Sequence, residues 1–218
     1  MPKRFELLVF DWDGTLMDSA GAIVVSIQAA CADLGLPVPG ETAARHIIGL
    51  GLRDALTTLL PDLAQHDYPP LVERYRHHYL GRDQDIALFE GAAEAVRDLS
   101  GSGFLLAVAT GKSRQGLNRA LTQTGLGDFF HASRCADECF SKPHPSMLEE
   151  IMDELAAAPE RTLMIGDTTH DLQMAVNAGV AGLAVAYGAH PRPDLEALAP
   201  LATVDSFAEL RRWLETHA

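Results

Sequence analysis

A chain of 218 residues with 47% apolar and 22% charged residues can bury a sizeable core, which excludes a disordered or collagen-like polypeptide. Seventeen basic against thirty acidic residues leave a net charge of −13; this favours solubility and disfavours broad nucleic-acid binding, but it leaves room for one locally basic phosphate pocket. Cys31, Cys135 and Cys139 are odd in number and too few for a disulfide framework, so reduced thiols in a cytoplasmic protein are expected.

The first apolar run, Leu7–Phe10, is too short for a signal-peptide core or a membrane span. Its lack of polar alternation reads as a strand covered on both faces. It ends in Asp11-Trp12-Asp13-Gly14-Thr15. No strand pattern follows until after Asp85. Helical spacing instead predicts helices over Ser19–Leu34, Glu41–Ile48, Leu52–Leu60 and Tyr68–Leu80, separated by Gly- and Pro-containing breaks. Beyond them, strands are predicted at Phe104–Ala109, Ala132–Cys135, Leu163–Ile165, Leu183–Ala186 and Ala202–Val204. They alternate with helices at Gly91–Ser100, Ser113–Thr124, Pro145–Ala156, Asp171–Ala178 and Ser206–Thr216.

This alternation is the signature of an α/β fold, a Rossmann-like doubly wound parallel sheet. A strand–helix–strand unit ordinarily takes about 30 residues, yet more than ninety separate Phe10 from Phe104. The excess, residues 17–85, is expected to form a small α-helical cap domain inserted after the first strand, with residues 1–16 and 86–218 making the core. Such a cap would sit over the carboxyl ends of the strands, where open α/β sheets bind ligands.

Several strand ends carry chemistry. Asp11 and Asp13 leave the first strand for a Gly turn, and Asp167 leaves a later one through Gly166. Thr110-Gly111-Lys112-Ser113 offers a hydroxyl and backbone N–H groups at a helix start, a setting that favours an anion. It lacks the earlier glycine of a nucleotide-binding P-loop. In Lys142-Pro143-His144-Pro145 the prolines restrict the backbone and aim Lys142. Converging carboxylates about 4 Å apart repel by ~4 kcal/mol at an effective dielectric of 20, so Asp11, Asp13 and Asp167 require cations. A divalent ion plus Lys142 meets that need, and all-oxygen ligands suit Mg²⁺ better than zinc. Asp171 is either a helix N-cap or a further ligand.

Together these elements resemble the haloacid dehalogenase superfamily of phosphohydrolases: Asp11-x-Asp13-x-Thr15 looks like its first motif, Thr110 its second, Lys142 its third and Gly166-Asp167-x-x-x-Asp171 its fourth. The resemblance implies an aspartyl-phosphate mechanism with Asp11 as nucleophile and Asp13 as acid and base. It implies Mg²⁺ held by Asp11, Asp13 (through its backbone carbonyl), Asp167 and Asp171, with Thr110 and Lys142 spreading the phosphoryl charge. Thr15 and Gly111 are expected beside the substrate. The leader Phe10–Ser19, Lys142-Pro-x-Pro145 and Tyr187-Gly188 look like the phosphoglycolate phosphatase group. Within the cap, Arg45 or Arg53 is a candidate for a bidentate grip on a substrate carboxylate or second phosphate, against the alternative of a solvent-facing helix residue. The implied partner is a small phosphorylated metabolite, not a nucleic acid or a membrane, and the implied enzyme is a monomer or homodimer.

A β-phosphoglucomutase-type phosphosugar mutase would use the same residues. A receiver-like phosphoacceptor also carries strand-end Asp, Mg²⁺ and Lys, but at about half this length and with no insertion. A phosphonate hydrolase would need a cap lysine, and residues 17–85 contain none.

Overall fold

The computed structural model describes residues 3–218. Six parallel strands form one sheet: β1 (Leu7–Phe10), β2 (Leu105–Thr110), β3 (Ala132–Cys135), β4 (Thr162–Gly166), β5 (Ala181–Val185) and β6 (Thr203–Val204), in the order β3-β2-β1-β4-β5-β6. β1 lies in the interior, and its four residues are all buried. Successive side chains of a strand point to opposite faces. Leu8 and Phe10 therefore join one apolar cluster with Leu106, Val108 and Ile165, while Leu7 and Val9 join another with Ala107 and Met164. Two covered faces explain an apolar run without polar alternation.

The first face is packed by α5 (Ala92–Gly101), α6 (Arg114–Thr124) and α10 (Phe207–His217), and the second by α7 (Ser146–Leu155) and α8 (Thr169–Asn177). Between β1 and α5 stand α1 (Ala20–Asp33), α2 (Glu41–His46), α3 (Leu52–Leu59) and α4 (Tyr68–Leu80). These four helices pack around a third cluster of their own, with Ile27, Ala30, Leu56 and Leu71 fully buried. The two connections into this insert run side by side. Asp18 N–H donates to Ala87 C=O (3.0 Å), and Phe89 N–H to Leu16 C=O (3.0 Å). Among the described residues no helix is long and apolar enough to cross a membrane, and Cys31, Cys135 and Cys139 are free thiols.

Local chemistry moves two boundaries away from the periodicity. The helix expected over Glu41–Ile48 stops at His46 with Ile47 as its C-cap, and the chain then turns through Gly49 at a φ of +93°, a conformation that glycine adopts readily. The helix expected from Asp171 begins at Thr169 instead. Its N-cap is Thr168, whose hydroxyl accepts the Asp171 N–H while the Asp171 carboxylate accepts the Thr168 N–H, a reciprocal capping box. Asp171 is thus the third helical residue, not the cap. A short helix, α9 (Arg192–Glu196), was not foreseen; five residues are too few for periodicity to register.

Candidate active site

The site begins with the register of β1. Phe10 is level with Val108 of β2 on one side and Ile165 of β4 on the other. Whatever follows each strand must therefore emerge along one edge of the sheet: Asp11 and Asp13, Thr110, and Asp167. The strand order runs outward from β1 both ways, to β2 and β3 on one side and to β4, β5 and β6 on the other, so this edge is the crevice where such folds bind ligands. Trp12, fully buried, packs into the core against Phe130 and donates its ring N–H to Met17 Sδ at 3.3 Å. That anchor leaves Asp11 and Asp13 facing a common pocket.

Lys142 arrives from the β3–α7 connection and is buried. Its Nζ lies 2.6 Å from Asp171 Oδ1 and 2.8 Å from Asp11 Oδ1. Asp11 Oδ1 is thus paired with the ammonium, while its buried Oδ2 has no partner. Asp171 is saturated by contrast, since its Oδ2 also accepts from the Thr168 N–H (3.0 Å) and hydroxyl (2.7 Å). Asp167 accepts from the Thr15 hydroxyl on Oδ1 (2.7 Å) and from the Ala189 N–H on Oδ2 (2.8 Å). Thr15, expected beside the substrate, thus uses its hydroxyl to aim Asp167. Backbone packs directly on these acids: a Cβ on Gly14 or Gly188 would overlap the Asp167 carboxylate, and one on Gly166 would overlap that of Asp171.

Ligand oxygens of Asp11, Asp167 and Asp171 lie within 4.8 Å of one another. Burial pushes the Asp11 carboxyl up to about 7; Lys142 works against that rise, and Asp171 adds to it. Burial also raises Asp167 well above the carboxylate range, reinforced by the Asp11 and Asp171 charges. Lys142 behaves oppositely. Burial disfavours its charge, but the attraction of Asp11 and Asp171 outweighs that cost and holds the ammonium protonated. One lysine, paired with two of three clustered buried carboxylates, leaves negative charge in excess, with Asp11 Oδ2 unpartnered. An all-oxygen donor set of this kind fits a hard divalent cation such as Mg²⁺.

Asp13 stands apart from that triad. Its Oδ1 accepts from the Ser19 hydroxyl (2.6 Å) and meets Lys112 Nζ at 2.9 Å. Lys112 in turn donates to the Tyr79 hydroxyl of the insert at 3.0 Å. Burial opposes the Lys112 charge, and Asp13 more than compensates, raising its pKa. Thr110 is buried, and its hydroxyl accepts the Lys112 backbone N–H at 3.1 Å. Gly111 serves the insert: a Cβ there would come within 2.5 Å of the Leu50 carbonyl oxygen.

The pocket over Asp11 and Asp13 encloses about 80 Å³. Its core side is Asp11, Asp13, Gly111 and Lys112, and its insert side is largely apolar, from Ile23, Ile27, Ile47, Ile48, Leu50 and Leu52. Arg45 does not join it. Its guanidinium pairs with Glu41 one turn earlier at 2.9 Å and lines a separate cleft with His46 and Pro191; Arg53 is exposed. The cation at the pocket is Lys112. The sequence carried a signal for it, a basic residue two positions beyond a strand end, inside the tetrapeptide set aside as an incomplete P-loop.

Comparison with known proteins agrees with this architecture. Residues 8–185 match the model of the haloacid dehalogenase-like hydrolase family. The chain is 36% identical over 210 residues to the "Probable phosphatase IndB" of Dickeya dadantii, covering 94% of this chain and 91% of that one. It is 31% identical over 210 residues to a phosphoglycolate phosphatase of Agrobacterium fabrum, covering 94% and 90%. A hydrolase of Pseudomonas syringae has the same fold, with a TM-score of 0.89 at 21% identity over 99% of both chains.

Proposed function

The chain belongs to the haloacid dehalogenase-like hydrolases and is a phosphatase, and from that footing we propose that it hydrolyses small phosphomonoesters through an aspartyl-phosphate formed on Asp11. The observation that carries this reading is the Asp11 carboxylate itself. It is buried, faces the pocket, sets one oxygen against an ammonium group and keeps the other without a partner. A carboxylate so desolvated is a stronger nucleophile than one in water.

In the first half-reaction an Asp11 oxygen forms a bond to phosphorus as the bond to the leaving oxygen breaks, and the Asp13 carboxyl gives that oxygen its proton. In the second, water attacks phosphorus, Asp13 takes the water's proton, and Asp11 departs as carboxylate. Lys142 and Thr110 stabilise the negative charge of the transferring group. Asp11 and Asp167, with the Asp13 backbone carbonyl, would hold Mg²⁺, and Asp171, whose oxygens are taken by Lys142 and Thr168, would stand beside them. When bound, the ion neutralises the carboxylates and the phosphoryl oxygens facing them. Thr15 and the Ala189 N–H keep Asp167 in the orientation this requires.

Residues 17–85 act as a cap that admits substrate and encloses it. At about 80 Å³ the enclosed space is far below the ~300 Å³ at which drug-sized ligand pockets begin, which favours a substrate with a short leaving group. Lys112 is the cation lining the pocket and is suited to meet a second anion on that group, so a phosphoglycolate-like metabolite fits best. Free thiols suit a reducing compartment, consistent with a cytoplasmic substrate. The test is phosphate release from a panel including 2-phosphoglycolate, sugar phosphates, nucleotides and pyrophosphate with Mg²⁺. We expect short acidic monoesters to be favoured and Asp11→Asn to abolish turnover. Conversion of a sugar phosphate to its isomer with little free phosphate would favour a mutase instead, and turnover by the Asp11→Asn protein would remove Asp11 from its assigned role.

A further inference from the structure

The segment Ile47–Leu50 roofs the pocket above Asp11 and Asp13. It is a turn with few hydrogen bonds of its own: Ile48 N–H reaches Arg45 C=O at 3.1 Å, and Leu50 N–H reaches Ile47 C=O at 3.4 Å. What ties it to the core lies at its two ends. At the far end Gly51 N–H donates to Ser141 Oγ at 2.8 Å. At the near end the backbone carbonyl of His46 is met by two imidazoles of the core, His170 Nε2 at 2.9 Å and His190 Nε2 at 3.1 Å.

A carbonyl oxygen only accepts, so both Nε2 atoms carry hydrogen. For His190 this is fixed twice over, because the Thr169 N–H donates to its Nδ1 at 3.1 Å and leaves the ring proton on Nε2. The same bond argues against a metal at the His46–His170–His190 cluster, since ligation through Nε2 would require a hydrogen on Nδ1. His190 is 2% exposed, and its ring stacks on that of His46 with centroids 5.1 Å apart. Its backbone N–H donates to the Asp167 carbonyl at 3.3 Å, and the preceding Ala189 N–H holds Asp167 Oδ2. One residue thus joins the pocket roof, the first turn of α8 and the loop that aims Asp167.

We propose that His170 and His190 are positioning residues that clamp the Ile47–Leu50 roof onto the core and thereby limit the size of the leaving group. The inference rests on the phosphatase reading, and neither histidine touches the reacting atoms. Losing the clamp lets the roof lift, which weakens enclosure of a short leaving group and admits a bulky one.

The test compares kcat/KM for 2-phosphoglycolate with that for p-nitrophenyl phosphate, with Mg²⁺, in the full chain. The double variant His170→Asn, His190→Asn shortens both donors beyond reach of the carbonyl. Two neutral hydrogen bonds predict about a tenfold fall in the small-to-bulky ratio, carried mainly by KM. The double variant His170→Gln, His190→Gln places an amide donor near each Nε2 position and is expected to restore the ratio to within about twofold. An unchanged ratio in the Asn variant, or the same fall in both variants, overturns the proposal. His170→Asn alone, at a half-buried position, gives a second readout in hydrogen exchange of the Ile48, Gly49 and Leu50 amides. Faster exchange is expected, and exchange equal to the parent overturns the clamp. If the parent enzyme hydrolyses neither ester, the phosphatase reading fails instead, and the exchange comparison still decides the clamp.

Discussion

Replacing Lys142 by Met removes an ammonium while keeping most of the side-chain volume, and it isolates the electrostatics of the site. In the parent protein this group lies 2.8 Å from Asp11 and 2.6 Å from Asp171, at essentially zero exposure on all three side chains. Removing one member of a buried ion pair costs about 3–5 kcal/mol. For a chain of this size each kcal/mol moves the melting temperature by about 2–4 °C, so the metal-free variant should melt roughly 6–20 °C below its parent at pH 8. The loss should shrink toward pH 5. Asp11 and Asp167 both have raised pKa values in the fold, and protonating them removes the repulsion that Lys142 no longer offsets. Mg²⁺ should recover part of the difference by supplying positive charge to the same carboxylates. Calorimetry of both proteins in EDTA at pH 8 and pH 5, then with Mg²⁺, measures all three effects. A metal-free Lys142→Met protein that melts within about 2 °C of the parent at pH 8 would refute the assignment of Lys142 as the neutralising partner.

The parent protein without metal should itself lose stability as pH rises through about 7, because a carboxyl raised to about 7 favours the folded state when protonated and ceases to do so once ionised. Mg²⁺ should correspondingly raise the melting temperature more at pH 8 than at pH 5, and equal increments would contradict competition between ion and protons at Asp11. Gly111→Ala should raise KM, since its Cβ would press on the Leu50 carbonyl at 2.5 Å and hold the insert off the core; steady-state kinetics giving parental KM would show that the loop yields without cost. Thr168→Ala removes the N-cap of α8 and the hydroxyl that binds Asp171, for which about 1–2 kcal/mol of lost stability is expected in denaturant titration; a change below about 0.3 kcal/mol would deny the capping box an energetic role.

The remaining contacts suggest why the insert packs closed without a large apolar seam. Besides the two histidines and Ser141, Lys112 reaches Tyr79, and Arg119 pairs with Asp83 at 2.6 Å. Each of these joins core to insert through a few polar atoms, whereas the apolar residues of the insert are largely engaged with one another. Polar contacts at such an edge can exchange for water at modest net cost, which fits the cap role proposed for the insert.

The local order of this protein is legible in its sequence. Four apolar residues before Asp11, helical spacing from α1 to α4, and Ser113 or Ser206 as a hydroxyl ahead of a helix act over a few residues, and the neighbours they need adjoin them in the chain. The strand ends Asp11, Asp13, Thr110 and Asp167 could be named for the same reason. Folding decided how those groups are shared out. Asp171 became a capping residue paired with Lys142, Arg45 turned to Glu41 and away from the pocket, Thr15 was spent on Asp167, and Lys112 became the cation beside Asp13. Those partners lie up to 152 residues apart, and a backbone carbonyl such as that of His46 has no letter of its own. Periodicity and capping are short-range effects, but a buried charge takes as its partner whatever group the packed chain brings within about 3 Å, and only the assembled sheet and insert determine which group that is.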